Sequence, residues 1–361
     1  MKLVFVLEHY HPYIGGAEKL FTELTRALVN RGYAVTVITT LHDSSLPRAE
    51  IDHGVHVFRV NCWNRYLFTL LSLPVIFRQA RRCDLIHTTT YNAAFPAWIV
   101  GKILNKKVVV TFHEVWGKLW FRLPFITRLQ KTLFYTYEQL ILRCRFHRYV
   151  AVSRYTQNCL QQFNAAKGRV VQIYNGLDYK AFRSYTPEPP TQFTYTYLGR
   201  LGISKGLDLL LPAAKEFSVA NPYSRLQLIL PQYPRSFYRR IRRWIAELEL
   251  ENHIDLYHNL PREALYQTIA QSSCVVIPSY SEGFCFAAAE TMALGIPIVS
   301  SQQGALKEVV SGRYVAMEAM TSTALLEALH RAKEGKWVEK NLQHFPLDES
   351  VKQYLELYES P

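Results

Sequence analysis

Cys274-Val275-Val276-Ile277-Pro278-Ser279-Tyr280-Ser281-Glu282-Gly283-Phe284 is a short β-favouring apolar run followed by a polar turn with one glycine, and the next ten residues, 285–294, form a helical stretch that contains Glu290. An apolar run of this length bounded by turn residues reads as a buried strand, and strand followed by turn and helix is half of a βαβ unit. The helix then begins at the carboxyl end of the strand, where its free amide N–H groups and the positive end of its dipole suit an anion such as phosphate. Glu282 stands at the mouth and Glu290 two turns into the helix, and both are acceptors for hydroxyl groups. A neutral polyol joined to a diphosphate needs both kinds of group. Taken alone, the helix also accommodates Glu282 as an acid serving its dipole and Glu290 on a solvated face.

Strands at 193–198, 225–230, 254–256 and 297–300 and helices at 207–219, 236–248 and 261–272 surround this unit in the second half of the chain. The strand at 193–198 runs into Gly199-Arg200-Leu201-Gly202-Ile203-Ser204-Lys205-Gly206, where glycines permit close backbone approach. Arg200 and Lys205 put two cations at a strand's carboxyl end, a place where a leaving diphosphate gains charge; a basic surface loop is the alternative.

In the first half, strands at 3–7, 34–39, 85–88, 108–112 and 149–152 alternate with helical stretches such as 17–30, which predicts a second parallel sheet flanked by helices. The segment 183–192, polar and rich in proline, is the expected linker between two Rossmann-like domains at 1–182 and 193–348, and 349–361 holds a terminal helix suited to crossing back onto the first domain. Gly15-Gly16-Ala17-Glu18 opens the first helix and lacks the G-x-G-x-x-G spacing of nicotinamide and flavin sites. His113 follows the strand at 108–112 directly, so it can point into a cleft; a lone histidine there also serves as a structural residue.

At 361 residues the chain exceeds what one hydrophobic core usually serves, in agreement with two domains. A net charge of +13 favours polyanionic partners without choosing among nucleic acid, lipid headgroups and phosphorylated ligands. The six cysteines show no C-x-x-C pair and no zinc spacing with histidine, so they read as reduced thiols. The first apolar run gives way at once to Glu8-His9-Tyr10-His11-Pro12, which suits a buried strand rather than a signal peptide and leads to a cytoplasmic expectation. The nearest candidate for a membrane span, 66–77, is too short and contains Pro74.

Gly15-Gly16-Ala17-Glu18, Thr111-Phe112-His113-Glu114, Ala151-Val152-Ser153, Tyr174-Asn175-Gly176-Leu177-Asp178, Gly199-Arg200-Leu201 with Lys205-Gly206, Glu282-Gly283-Phe284 with Glu290, and Ala293-Leu294-Gly295-Ile296-Pro297-Ile298-Val299 follow one another in a specific order and spacing. Together, over nearly the whole chain, they resemble the retaining glycosyltransferases of family 4, the glycosyl transferases group 1. The resemblance implies an α/β GT-B architecture, two Rossmann-like parallel-sheet domains facing a central cleft. It implies transfer of a sugar from a nucleotide diphosphate, with a UDP- or GDP-sugar favoured, to a glycan or lipid-linked acceptor by a same-face mechanism. Arg200 and Lys205 are then expected to hold the diphosphate, helped by the amides near Gly283, Phe284 and Cys285. Glu282 is expected at the transferred sugar, Glu290 at the ribose, His113 beside the reacting carbon, and Gly15 and Gly16 against the phosphate or acceptor. No metal and no cofactor beyond the donor is expected. Two positions depart from the family pattern: His113-Glu114 replaces the usual His-Asp, and the stretch after Glu308 lacks the usual Asn-Gly turn. The competing enzyme class is a nucleotide-sugar epimerase or hydrolase on the same fold.

Cations and aromatics are mixed in two first-half segments, Trp63 through Arg82 and Trp116 through Arg148, a composition suited to an anionic membrane surface and equally to ordinary solvated helices. Peripheral association with the inner face of the cytoplasmic membrane is the corresponding expectation. The run Arg235-Ser236-Phe237-Tyr238-Arg239-Arg240-Ile241-Arg242-Arg243-Trp244 has no nucleic-acid motif beside it, so nucleic acid is not expected as a partner.

Overall fold

The computed structural model describes residues 1–13 and 15–359. Ile14, within the first glycine segment, and Ser360 and Pro361, at the end of the expected terminal helix, lie outside the described residues. Contacts divide the chain into two compact units, one of Met1–Trp120, Arg128–Gly176 and Leu347–Pro361, the other of Phe121–Thr127 and Leu177–Pro346.

The first unit is built on an eight-stranded sheet: β1 (Lys2–Val6), β2 (Ala34–Thr40), β3 (Ala49–Asp52), β4 (Val55–Val60), β5 (Leu85–Thr89), β6 (Lys107–Phe112), β7 (Arg148–Ala151) and β8 (Val170–Gln172), in the order β3-β4-β2-β1-β5-β6-β7-β8. Every pair is parallel except β3 with β4. That hairpin was not foreseen, and its turn explains it: His53 and Gly54 both have positive φ, the geometry of a two-residue turn between paired Asp52 and Val55. Strands whose residues are nearly all buried, such as β1 and β6, carry apolar side chains toward both faces, as a covered parallel sheet requires. The core gathers Val6, Ile86, Ala97, Val110, Phe112 and Tyr149.

The chain returns to this unit through the helix Leu347–Glu359, whose buried Val351, Tyr354 and Tyr358 share one helical face. His87 of β5 ties it in, with Nδ1 2.5 Å from the Tyr358 hydroxyl and Nε2 2.8 Å from the Thr111 hydroxyl. Burial pushes the His87 imidazole down to about 3, so the ring is neutral.

The second unit holds a seven-stranded sheet of β9 (Thr194–Leu198), β10 (Arg225–Ile229), β11 (Ile254–Tyr257), β12 (Cys274–Ile277), β13 (Ile298–Ser300), β14 (Gly312–Ala316) and β15 (Val338–Lys340), ordered β11-β10-β9-β12-β13-β14-β15. Only the edge pair of β14 and β15 is antiparallel. Leu210, Phe217, Leu228, Ile241, Val276 and Leu329 lie at the centre of its core. Residues 183–192 belong to this unit, where the Glu188 amide donates to Ala270 O at 3.0 Å. Among the described residues no helix is long and apolar enough to cross a membrane.

In each sheet the chain first adds strands on one side and then reverses to the other. The reversal falls between β1 and β5 in the first sheet and between β9 and β12 in the second. The crevice outside the carboxyl ends of two such strands is where open α/β sheets bind ligands.

Candidate functional site

The loops leaving β9 and β12 are neighbours at the second unit's reversal; the first carries Arg200 and Lys205 and the second Glu282, Gly283, Phe284 and Cys285. Lys205, on the β9 loop, donates from Nζ to Glu282 Oε1 on the β12 loop at 2.7 Å. The Ser279 hydroxyl donates to the same oxygen at 2.7 Å, and Glu282 is only 7% exposed. A carboxylate this deep is tolerable because a cation and a hydroxyl compensate it. Arg200 stands five residues before Lys205 in the same glycine-rich loop.

Backbone fit holds the two loops together. Gly206 has φ +73°, and a Cβ there would stand 2.1 Å from Pro278 O, so the position requires glycine. The Tyr280 amide donates to Ser204 O at 2.8 Å. A third loop, after β13, supports Glu282 from behind, with the Ala305 amide on Glu282 O at 2.8 Å. Asp208, in the first turn of the helix Leu207–Ala220, accepts from the Tyr280 hydroxyl at 2.7 Å. Among the described residues no group hydrogen-bonds the buried hydroxyls of Tyr197 and Ser281, which leaves polar atoms in this region without a protein partner.

The helix after β12 runs from Phe286 to Ala293, with Cys285 as its N-cap residue in a left-handed conformation, φ +76°, and no side-chain capping bond. Gly283, Phe284 and Cys285 therefore form the approach to an uncapped helix start, whose amides are donors. The apolar surroundings of the half-buried Cys285 and then the nearby Glu282 push its thiol up, which disfavours the thiolate. Glu290 is the first residue of the second turn rather than two turns in, because the tight Gly283–Cys285 bend delays the helix start. It accepts from the Tyr266 hydroxyl at 3.2 Å, which in turn accepts from Arg262 Nε at 3.1 Å. Glu282 and Glu290 are thus held by different partners.

In the first unit, Gly15 is the N-cap residue of the helix Gly16–Asn30, with extended backbone, and Gly16 is its first residue. Glu8, just past β1, is buried and joins the segments that follow β5 and β4: Asn92 Nδ2 donates to its Oε2 at 2.9 Å, and Arg65 Nε lies 2.6 Å from its Oε1. Burial pushes the Glu8 carboxyl up, against the pull of Arg65 and Asn92. Next to it, the rings of His9 and Tyr13 stack with centroids 4.0 Å apart. His113 leaves β6 with its ring edge-on to Phe21, 5.9 Å between centroids.

Sequence inspection missed Glu8, Asn92, Asp208, Tyr266 and Gly304. Tyr266 lies 24 residues from its partner Glu290, and Gly304, packed against the Glu282 main chain, lies 22 residues from Glu282, so no local pattern links either pair.

Comparison with known proteins bears on the family and the fold. Residues 14–181 match the model of Glycosyltransferase Family 4, and residues 178–344 match that of Glycosyl transferases group 1. The chain is 26% identical over 310 residues to the GDP-mannose:cellobiosyl-diphosphopolyprenol alpha-mannosyltransferase of Xanthomonas campestris, covering 83% of this chain and 78% of that protein. It is 23% identical over 345 residues to one component of the human phosphatidylinositol N-acetylglucosaminyltransferase, covering 91% and 68%. Among solved structures, Anabaena HepE in complex with UDP and glucose superposes with a TM-score of 0.78 at 18% identity over 100% of both chains. Two sheets wound about reversal points, two family models that adjoin without a gap, and this structural likeness lead to one assignment: the chain belongs to the group 1, family 4 type of glycosyltransferases and has the GT-B fold.

Proposed function

We propose that the chain moves a sugar from a nucleoside diphosphate, UDP or GDP, to a lipid-linked or glycan acceptor with retention of anomeric configuration and without a bound metal. The observation that carries this is the junction of the β9 and β12 loops, where Lys205 and Glu282 meet beside an uncapped helix start. Cations and amides suit the diphosphate, and a buried carboxylate suits the hydroxyls of the sugar. Glu290, oriented by Tyr266, takes the ribose. His113 is given the place beside the reacting sugar carbon, and Gly15 and Gly16 the contact with the phosphate or acceptor, as the family resemblance implies. Further support comes from the names of the two relatives, which carry a GDP-sugar donor in one case and lipid-borne acceptors in both.

In the reaction the bond from the anomeric carbon to the phosphate oxygen breaks, and a bond from the same face to the acceptor oxygen forms. The acceptor's proton passes to the leaving phosphate. Charge grows on the diphosphate as the sugar becomes oxocarbenium-like, and fixed cations and amides stabilise that state more than the ground state. Arg200, Lys205 and the amides of Gly283, Phe284 and Cys285 fill this role.

The same enzyme is proposed to work at an anionic membrane surface. Trp63 is 94% exposed, Tyr66, Leu70 and Leu71 are exposed near it, and Arg78, Arg81 and Arg82 follow within one short stretch. The helix Arg128–Arg143 exposes Leu129, Leu133 and Leu140 on a single face. Rings and aliphatic chains at headgroup depth beside cations suit anionic lipid.

A thermal-shift and product-release screen over UDP-, GDP-, ADP- and dTDP-sugars tests the central proposal. Stabilisation by at least one of them, with transfer once an acceptor is supplied, is the expected result. Stabilisation by none overturns it, and sugar release or conversion with no use of any acceptor favours a hydrolase or epimerase.

A further inference from the structure

The helix Arg128–Arg143 carries an acid that the transfer scheme leaves unused. Glu138 is 1% exposed, and a carboxylate so deep is costly unless donors surround it. Three neutral donors do so. The Tyr91 hydroxyl and the Trp116 amide reach Oε1 at 2.8 and 2.9 Å, and the Gly117 amide reaches Oε2 at 2.7 Å. Two main-chain amides and a phenol need a partner that only accepts, through two oxygens, which a carboxylate is and a carboxamide is not.

The place of these donors gives the arrangement its meaning. Trp116 and Gly117 follow His113 by three and four residues, on the segment that leads it out of β6. Tyr91 comes two residues after the end of the neighbouring strand β5. One carboxylate therefore ties the loops after β5 and β6 to one helix. Packing reinforces the tie, since the Trp116 and Trp120 rings lie 4.4 Å apart and Trp120 meets Phe134 of the same helix at 5.2 Å. Burial pushes the Glu138 carboxyl up, while the two amides and the Tyr91 hydroxyl pull it down.

We infer that Glu138 is the positioning residue for His113: by gripping the main chain at 116–117 it sets where the imidazole stands during sugar transfer. This rests on the role given to His113 above.

A double-mutant cycle on the full chain separates positioning from simple support of the fold. The readout is release of nucleoside diphosphate from whichever of UDP-glucose, GDP-mannose or UDP-N-acetylglucosamine the wild type turns over. Glu138→Gln is expected to lower kcat about tenfold with donor KM within about threefold, and to cost less than about twofold when His113→Ala is already present. An equal loss in both backgrounds, or wild-type kcat in Glu138→Gln, overturns the inference while leaving the role of His113 intact. Wild-type kcat in His113→Ala overturns both. Where Glu138→Gln does not fold, Tyr91→Phe removes one donor and enters the same cycle, with an expected loss of about threefold in the wild-type background only; no loss, or an equal loss in both backgrounds, overturns the inference.

Discussion

Lys205 and Glu282 are bonded to each other, Nζ to Oε1 at 2.7 Å, although 77 residues separate them and each is proposed to serve a different part of the donor. A diphosphate that recruits Lys205 must compete with this carboxylate. Glu282→Gln is therefore expected to bind the nucleoside diphosphate as tightly as the wild type or tighter, while transfer falls about a hundredfold. Lys205→Ala is expected to raise the Kd about tenfold. Calorimetric titration with UDP and GDP checks both, and weaker nucleotide binding in Glu282→Gln would contradict the competition.

Gly304 stands against the same carboxylate's main chain. Its φ is +63°, and a Cβ would lie 2.5 Å from Glu282 O and 2.9 Å from Glu282 N. Gly304→Ala is expected to lose at least the roughly 1–2 kcal/mol of left-handed backbone and also most activity, because relief requires Glu282 to move. Gly335 is a matched control, with φ +72° and nothing within 4 Å of its Cβ. Gly335→Ala should pay the backbone cost and keep its kcat. Equal activity in the two variants would refute the link to Glu282.

His87 makes the fold sensitive to acid in a defined direction. Buried between the Tyr358 and Thr111 hydroxyls, its imidazole is pushed down to about 3, so below its ordinary value near 6.5 the unfolded chain takes a proton that the folded protein refuses. Its stabilising contribution is whole above pH 6.5 and declines as the pH falls toward 3, by at most about 1.4 kcal/mol per pH unit. Burial raises the Glu8 and Glu138 carboxyls and acts in the opposite sense. Comparing urea midpoints of wild type and His87→Asn removes that common background. The expected outcome is a shallower loss between pH 6.5 and 5 in the variant; parallel curves would exclude His87 as the source.

Vesicle flotation addresses the proposed membrane surface. Recruitment is expected with phosphatidylglycerol at low salt, little with phosphatidylcholine alone, and less as salt is raised. Serine at Trp63, Tyr66 and Leu70 together should weaken it about tenfold without altering UDP or GDP binding, because lost apolar insertion leaves the second unit untouched. Absence of recruitment to anionic vesicles at low salt would remove this part of the proposal.

The strand, turn and helix from Cys274 to Glu290, the glycine loop after β9, and the alternation of strands and helices were legible from residues alone. Each depends on chain conformation over a few neighbours: buried strands show as apolar runs, and glycines mark the bends between elements. The edge hairpin of β3 and β4 escaped notice because its strands are half exposed and carry a mixed pattern. Lys205 on Glu282, Tyr266 on Glu290, Gly304 behind Glu282 and Glu138 beneath the His113 segment were decided only by tertiary structure. Parallel strands are joined by crossovers of a dozen residues or more, so side chains that meet at their carboxyl ends come from distant parts of the sequence. The chain by itself determined which residues could bind an anion or a sugar; folding determined which of them hold one another in place.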